Sequence, residues 1–152
     1  MLAAELVRKH GRLRLRVNGF SMLPAVWPGD IVTVERKLPA RLRLGELVLV
    51  ENLGGLRLHR LIESGFAQGD NRLITRGDSL PADDPPVMPD QVLGVVTSIE
   101  RRGASFVPLS QRPRIACLFS GSTLGLWIAR IAFRLRRLLH PTLTRETPTL
   151  VP

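Results

Sequence analysis

Short runs of strand-forming residues, separated by glycine and proline turn signals, are the feature that most constrains the fold of this 152-residue chain. Residues 13–17 alternate strictly between apolar and charged side chains, and residues 30–35 are rich in β-branched ones. Residues 47–50 form a continuous apolar run, which suits a strand buried on both faces. Comparable runs follow at 56–62, 71–76, 92–99 and 105–109. This spacing predicts a mainly β fold, a small barrel or sandwich.

The two ends of the chain have a different pattern. Residues 2–10 predict a short helix, and residues 124–139 predict a basic amphipathic helix with Trp127 on its apolar face. We therefore divide the chain into a short N-terminal helix with a leading strand, a β domain, a helical segment and a disordered tail, at 1–16, 17–110, 111–140 and 141–152. A basic amphipathic helix is typical of membrane-surface binding, so residues 115–139 are expected to contact a membrane. Packing on its own domain or on a partner is the alternative for this helix.

Charge and cysteine content exclude some classes of protein. The net charge of +9, nearly all from arginine, favours attraction to polyanions such as nucleic acid or an anionic membrane. The single cysteine, Cys117, excludes an internal disulfide and a cysteine-based zinc cluster, and no cluster suggests another metal or a cofactor. The chain has no apolar run of 18 residues, so no transmembrane helix is predicted.

The segment around residue 59 carries the most distinctive chemistry. Gly54 and Gly55 predict a hairpin turn between two strands. Alternation along the second strand places Leu58 and Arg60 on one face and Arg57, His59 and Leu61 on the other. Of the three histidines, only His59 lies within the patterned middle of the chain.

Ser21 lies in a turn rich in glycine and proline, directly after a predicted strand. A nucleophilic serine needs a base, and an anion that orients this base. His59 is the natural base, because Lys37 lies in a charged segment where we expect it to be a solvated, protonated loop residue. The loop at 77–90 carries four aspartates that can supply the anion: Asp78, Asp83, Asp84 and Asp90.

Five segments in this order resemble the successive boxes of the type I signal peptidases. They belong to the branch of archaea, the endoplasmic reticulum and some spore-forming bacteria, in which histidine replaces the usual lysine. The matching segments lie at 19–24, 29–34, 45–48, 59–62 and 75–84, so the resemblance covers roughly residues 17–99. It implies a β-rich serine endopeptidase that trims preproteins or leader peptides after small side chains.

Carried over by position, the resemblance makes Ser21 the nucleophile and His59 the general base. Asp84 becomes the triad carboxylate and Asp78 a supporting one, with Asp83 as a close competitor for the triad position. Some members carry a hydroxyl two residues before the nucleophile that assists the oxyanion. Here that position is Gly19, so the oxyanion would depend mainly on backbone N–H groups.

The expected function is therefore a membrane-associated serine endopeptidase acting on preproteins, with a cytoplasmic location as the alternative. We expect no N-terminal membrane anchor, and the C-terminal basic helix would replace it. Two other functions stay open. One is a self-cleaving peptidase of the repressor type, which uses lysine as its base. The other is a non-catalytic basic β domain that binds nucleic acid, although nucleic acid is not the expected partner because stacking aromatics are few.

Overall fold

The computed structural model describes residues 2–52, 55–65 and 70–110. The predicted helical segment at 111–140, with its membrane contact at 115–139, lies outside the described residues. So does the tail at 141–152, and so does Cys117.

In the described residues, seven strands form one antiparallel sheet, and the predicted mainly β fold is confirmed. One helix, α1 (Leu2–His10), precedes them. The strands are β1 (Arg12–Arg16), β2 (Ile31–Glu35), β3 (Leu47–Asn52), β4 (Gly55–Ser64), β5 (Leu73–Arg76), β6 (Val92–Arg101) and β7 (Ala104–Phe106). Each lies at a position where alternation or an apolar run predicted a strand. The last one is shorter than predicted, because the chain leaves the sheet after Phe106.

The strand order in the sheet is β1-β2-β6-β3-β4-β5, with β7 also paired to β6. The glycine turn joins β3 and β4 into the predicted hairpin, which pairs from Leu47 and Arg60 down to Asn52 and Gly55. β5 then pairs with β4 from Arg60 and Arg76 to Ser64 and Leu73. The segment that follows β5 returns along it and forms a bridge between Leu73 and Val87. These pairings bring the loop at 77–90 beside the middle of β4.

Apolar side chains pack on both faces of β3, as its continuous apolar run predicted. Leu47 and Leu49 belong to one cluster, which also contains residues of β2 and β6 and the buried Val7 of α1. Val48 and Val50 belong to a second cluster, which contains Leu61, Leu73, Val87 and Val92. Because Val7 lies in the first cluster, α1 packs as part of the same unit as the sheet.

The alternation predicted along β4 is also observed. Leu58 packs against the first cluster, and Leu61 lies in the second. Among the described residues, no helix combines the length and the apolar character needed to cross a bilayer.

Candidate active site

A tight turn that follows β1 carries Ser21. Within this turn the N–H of Leu23 donates to the carbonyl of Phe20, and the N–H of Val26 donates to the carbonyl of Met22. Met22, Leu23 and Val26 are fully buried, so the turn is anchored in the core on the side away from the serine. Ser21 itself is half-buried. The buried apolar residues that follow Ser21 therefore fix the position of its half-buried hydroxyl.

The carboxylate of Asp30 closes the end of this segment. Its Oδ2 accepts a hydrogen bond of 2.7 Å from the backbone N–H of Trp27, and Arg101 of β6 binds the same carboxylate. The backbone N–H of Val17 donates to the carbonyl of Asp30. Asp30, which follows the turn signal Pro28-Gly29, thus joins the segment that carries Ser21 to the start of β2.

The imidazole of His59 lies directly against the serine. His59 pairs with Val48 in the β3–β4 hairpin and is buried, and its Nε2 lies 2.9 Å from Ser21 Oγ. Its Nδ1 lies 2.5 Å from Oδ2 of Asp84. An ionised carboxylate can only accept a hydrogen bond, so Nδ1 donates to Asp84, and in the neutral imidazole Nε2 is then the atom that accepts from the serine hydroxyl. This tautomer is the one that a general base needs.

Of the two candidate carboxylates, Asp84 and not Asp83 contacts the imidazole of His59. The backbone N–H of Asp84 donates to the carbonyl of Thr75 at 2.8 Å, which fixes Asp84 beside β5. The adjacent Asp83 points the other way, with half of its side chain exposed, and pairs with Arg76 at 3.1 Å. Asp90 lies in a short 3-10 helix and is exposed.

Asp78 has a structural partner. Its carboxylate, almost fully buried, accepts two hydrogen bonds of 2.7 Å from the guanidinium of Arg60. Alternation along β4 directs Arg60 and His59 to opposite faces. Asp78 therefore acts on the site indirectly, because its bonds to Arg60 fix the loop at 77–90 against β4. Asp84 contacts the histidine directly.

Two further residues hold the Asp84 carboxylate, and neither was predicted from the sequence as a functional residue. The Thr75 hydroxyl donates to Oδ2 at 2.7 Å, and Arg57 Nη1 donates to Oδ1 at 3.0 Å. Alternation had placed Arg57 on the face of His59, and this was the signal that could have found it. Thr75 lies in a matching segment, but only the pairing of β4 with β5 reveals its direction.

The backbone around Ser21 is held in one orientation by the residues after β5. Ser79 donates from its N–H to the carbonyl of Ser21 and from its hydroxyl to the carbonyl of Phe20, both at 2.9 Å. A Cβ on Gly77 would lie 2.7 Å from the carbonyl oxygen of Ser21, so this close approach requires glycine. In a trans peptide the N–H points opposite to the carbonyl, so these bonds also orient the N–H groups of Ser21 and Met22.

Those two N–H groups have no acceptor among the described residues. Gly19 offers no side-chain donor, and the space where its Cβ would lie is open within 4 Å. Backbone N–H groups beside a nucleophile are the usual means of binding the oxyanion of a tetrahedral intermediate.

The lysine is not part of this arrangement. Lys37 Nζ forms an ion pair of 2.6 Å with Glu46. Its ammonium is therefore paired with a carboxylate, where the sequence predicted a solvated loop residue.

In the described part of the chain, no group of three or more His, Cys, Asp and Glu side chains is arranged to hold a metal ion. Comparison of the chain with protein-family models, with curated proteins and with solved structures finds no match.

Proposed function

We propose that this protein is a serine endopeptidase of the signal-peptidase type, which cleaves preproteins or leader peptides after small side chains. The observation that carries the proposal is the continuous chain of hydrogen bonds from Ser21 through His59 to Asp84. Three side chains from separate segments, in the tautomer and order that acyl transfer needs, are unusual in a site with a purely structural role. The ordered resemblance of residues 17–99 to the signal peptidases supports the same assignment and adds the class of substrate.

In the proposed reaction, Ser21 Oγ attacks the scissile carbonyl carbon while its proton passes to His59 Nε2. The N–H groups of Ser21 and Met22 bind the oxyanion that forms. The carbon–nitrogen bond then breaks, and the proton on Nε2 moves to the leaving amine. A water molecule, deprotonated by the same nitrogen, hydrolyses the acyl-enzyme and restores the serine. Throughout, Asp84 orients the imidazole and stabilises its cationic form.

An extended substrate can reach the serine along the edge of the sheet. β1 is the first strand in the sheet order, and the chain runs from it through residues 17–20 to Ser21. At the other end of the order, β5 is already bridged by the segment that contains Val87. A peptide that adds as a strand beside β1 and residues 17–20 would bring its scissile bond towards the nucleophile.

The alternatives are less well supported by the site. A repressor-type peptidase needs a neutral lysine beside the serine, whereas Lys37 binds Glu46 and histidine contacts the hydroxyl. A nucleic-acid-binding domain does not require a buried histidine between a serine and an aspartate. We place the protein at a membrane, with the cytoplasm as the alternative location.

Covalent labelling tests the proposal directly. The full chain is treated with a fluorophosphonate, which an activated serine attacks at phosphorus with loss of fluoride, and the phosphonylated residue is mapped by peptide mass spectrometry. We expect a single adduct on Ser21 that is lost in Ser21→Ala and His59→Ala. A matched control is Ser98→Ala, which removes an exposed hydroxyl that binds Ser105, and it should label normally.

Cleavage of a leader peptide with small residues before the scissile bond is the second measurement. It should disappear in the same two variants and persist in Ser98→Ala. Labelling of Ser21 that does not depend on His59, or cleavage that persists in Ser21→Ala, would overturn the assignment.

A further inference from the structure

Two loops on the same side of the domain expose apolar side chains that the proposed reaction does not use. The first comprises residues 36–46, between β2 and β3, and the second comprises residues 107–110, after β7. We call them together the loop surface. Its most exposed apolar side chains are Leu38 (60%), Leu44 (60%), Val107 (76%) and Leu109 (73%).

The two loops are in direct contact, so their exposed apolar side chains belong to neighbouring segments of the surface. Arg60 Nη1 donates to the carbonyl of Gly45 at 2.6 Å and to the carbonyl of Leu109 at 2.7 Å. A Cβ on Gly45, which has a φ of +89°, would lie 1.8 Å from the carbonyl oxygen of Ser110. A groove of about 440 Å³ runs between the loops, and the ion pair of Lys37 with Glu46 lies on one wall.

The charge of this surface is positive. Residues 36–46 contain four basic side chains and one acidic one, and that acid, Glu46, is bound by Lys37. Arg41 and Arg43 are exposed, and no carboxylate of the described residues pairs with either guanidinium. The neighbouring Leu42 packs against the second core cluster, which holds the loop to the domain.

We propose that the loop surface docks on an anionic lipid bilayer. Single apolar side chains that protrude between arginines match the interface of a bilayer, where acyl chains lie just below phosphate groups. Leu38, Leu44, Val107 and Leu109 enter the acyl boundary, and Arg41 and Arg43 bind lipid phosphates. The inference does not depend on the proposed peptidase activity. The inference also does not use the predicted contact at 115–139, because the residues that support it belong to the loops at 36–46 and 107–110.

A local probe distinguishes this surface from any other membrane contact of the chain. In the full chain with Cys117→Ser, an environment-sensitive fluorophore is attached at Val107→Cys, and in a matched control at Leu56→Cys. Leu56 is also exposed, but it lies at the far end of the β3–β4 hairpin from Gly45. With vesicles of phosphatidylcholine and phosphatidylglycerol, we expect a blue shift and quenching by spin-labelled lipid at position 107 only.

Two results would overturn the proposal. The first is a probe at position 107 that stays in water while the protein sediments with the vesicles. The second is a probe at position 107 that is already shielded from water without vesicles. If this shielding increases with protein concentration, a second copy of the chain covers the surface. If the shielding does not depend on protein concentration, another part of the same chain covers it.

Vesicle sedimentation measures the two contributions separately. Leu44→Ser with Leu109→Ser should weaken binding about tenfold or more, whereas Leu56→Ser should leave it unchanged.

Arg41→Gln with Arg43→Gln should weaken binding to anionic vesicles about thirtyfold and leave binding to pure phosphatidylcholine unchanged. The control pair Arg16→Gln with Arg102→Gln has the same net charge. Equal losses in the two arginine pairs would show a general charge effect and contradict docking by this surface.

Discussion

At the scale of single residues, the molecule assigns different roles to chemically identical side chains. Asp84 and Asp83 are adjacent, yet one orients a buried imidazole and the other forms an ion pair that is half exposed. Asp78, five residues before Asp83, neutralises a buried arginine. The direction of each carboxylate follows from backbone hydrogen bonds such as that of the Asp84 N–H with the carbonyl of Thr75. Sequence position alone does not determine these roles.

The neighbouring aspartates provide a matched pair of variants. Asp84→Asn places an amide against His59 Nδ1 and favours the wrong tautomer, so kcat should fall by about 10³- to 10⁴-fold. Asp83→Asn removes the same charge one residue away and should change kcat less than about twofold, because exposed ion pairs contribute little. The measurement is peptide cleavage with active-site titration. Similar losses in both variants would remove Asp84 from the triad.

Thr75 is expected to act as a positioning residue through Asp84. Thr75→Val keeps the shape of this buried side chain but removes the donor to Oδ2, so kcat should fall about tenfold with little change in KM. Thr75→Ser keeps the hydroxyl and should restore most of the rate. Thr33→Val, in the buried part of β2, is the control for a general effect on packing. If Thr75→Ser is as slow as Thr75→Val, the hydroxyl has no positioning role.

At the scale of elements, β4 organises the site. One face of this strand supplies His59 and Arg57, and the other supplies Arg60, whose guanidinium joins Asp78 to the carbonyls of Gly45 and Leu109. A single strand thus contacts Ser21, the loop at 77–90 and the loop surface. Because the side-chain period of a strand is two, a shift of one residue would exchange the faces of His59 and Arg60. Both sets of contacts, those of the imidazole and those of the guanidinium, would then be lost.

Removing one partner of the buried ion pair of β4 should be strongly destabilising. Asp78→Asn leaves the nearly fully buried guanidinium of Arg60 without its counter-charge, so the free energy of unfolding should fall by about 3 kcal/mol. Asp70→Asn is the control. The guanidinium of Arg72 lowers the pKa of Asp70, mainly by hydrogen bonding, but this pair is exposed and should leave stability unchanged. Urea unfolding measures both, and equal midpoints would contradict a role for the buried pair.

At the scale of the whole molecule, two apolar clusters share one strand. Leu49 of β3 lies in the first and Val48 in the second, so neither cluster can unfold without exposing the other. The N-terminal helix joins this unit through Val7. The sheet, the helix and the site are therefore expected to unfold together.

Truncation in either cluster tests this cooperativity. Leu49→Ala and Leu61→Ala remove fully buried side chains from opposite faces, and each should lower the free energy of unfolding by about 2–5 kcal/mol. Both should shift one common transition in far-UV circular dichroism and in tryptophan fluorescence. Leu56→Ala, at an exposed position, should shift neither. Separate transitions for the two variants would mean that the clusters unfold independently.

The sequence by itself determined where the strands lie and which side chains of β4 share a face. Apolar alternation, β-branched runs and glycine turns are local properties, so the positions of all seven strands and the opposite faces of His59 and Arg60 follow from them. The choice of Ser21 and His59 as a pair also came from the sequence, because few other candidates exist and because the ordered segments resemble one family.

Only the tertiary structure decided which aspartate meets the histidine and what holds it there. The loop at 77–90 has four aspartates, and their directions depend on its hydrogen bonds to β5 and to the Ser21 turn. Thr75, Arg57 and the contact between the two exposed loops depend on pairings between segments distant in the chain. Such contacts leave no local periodicity in the sequence, because they are stabilised by the packing and strand pairing of the whole sheet.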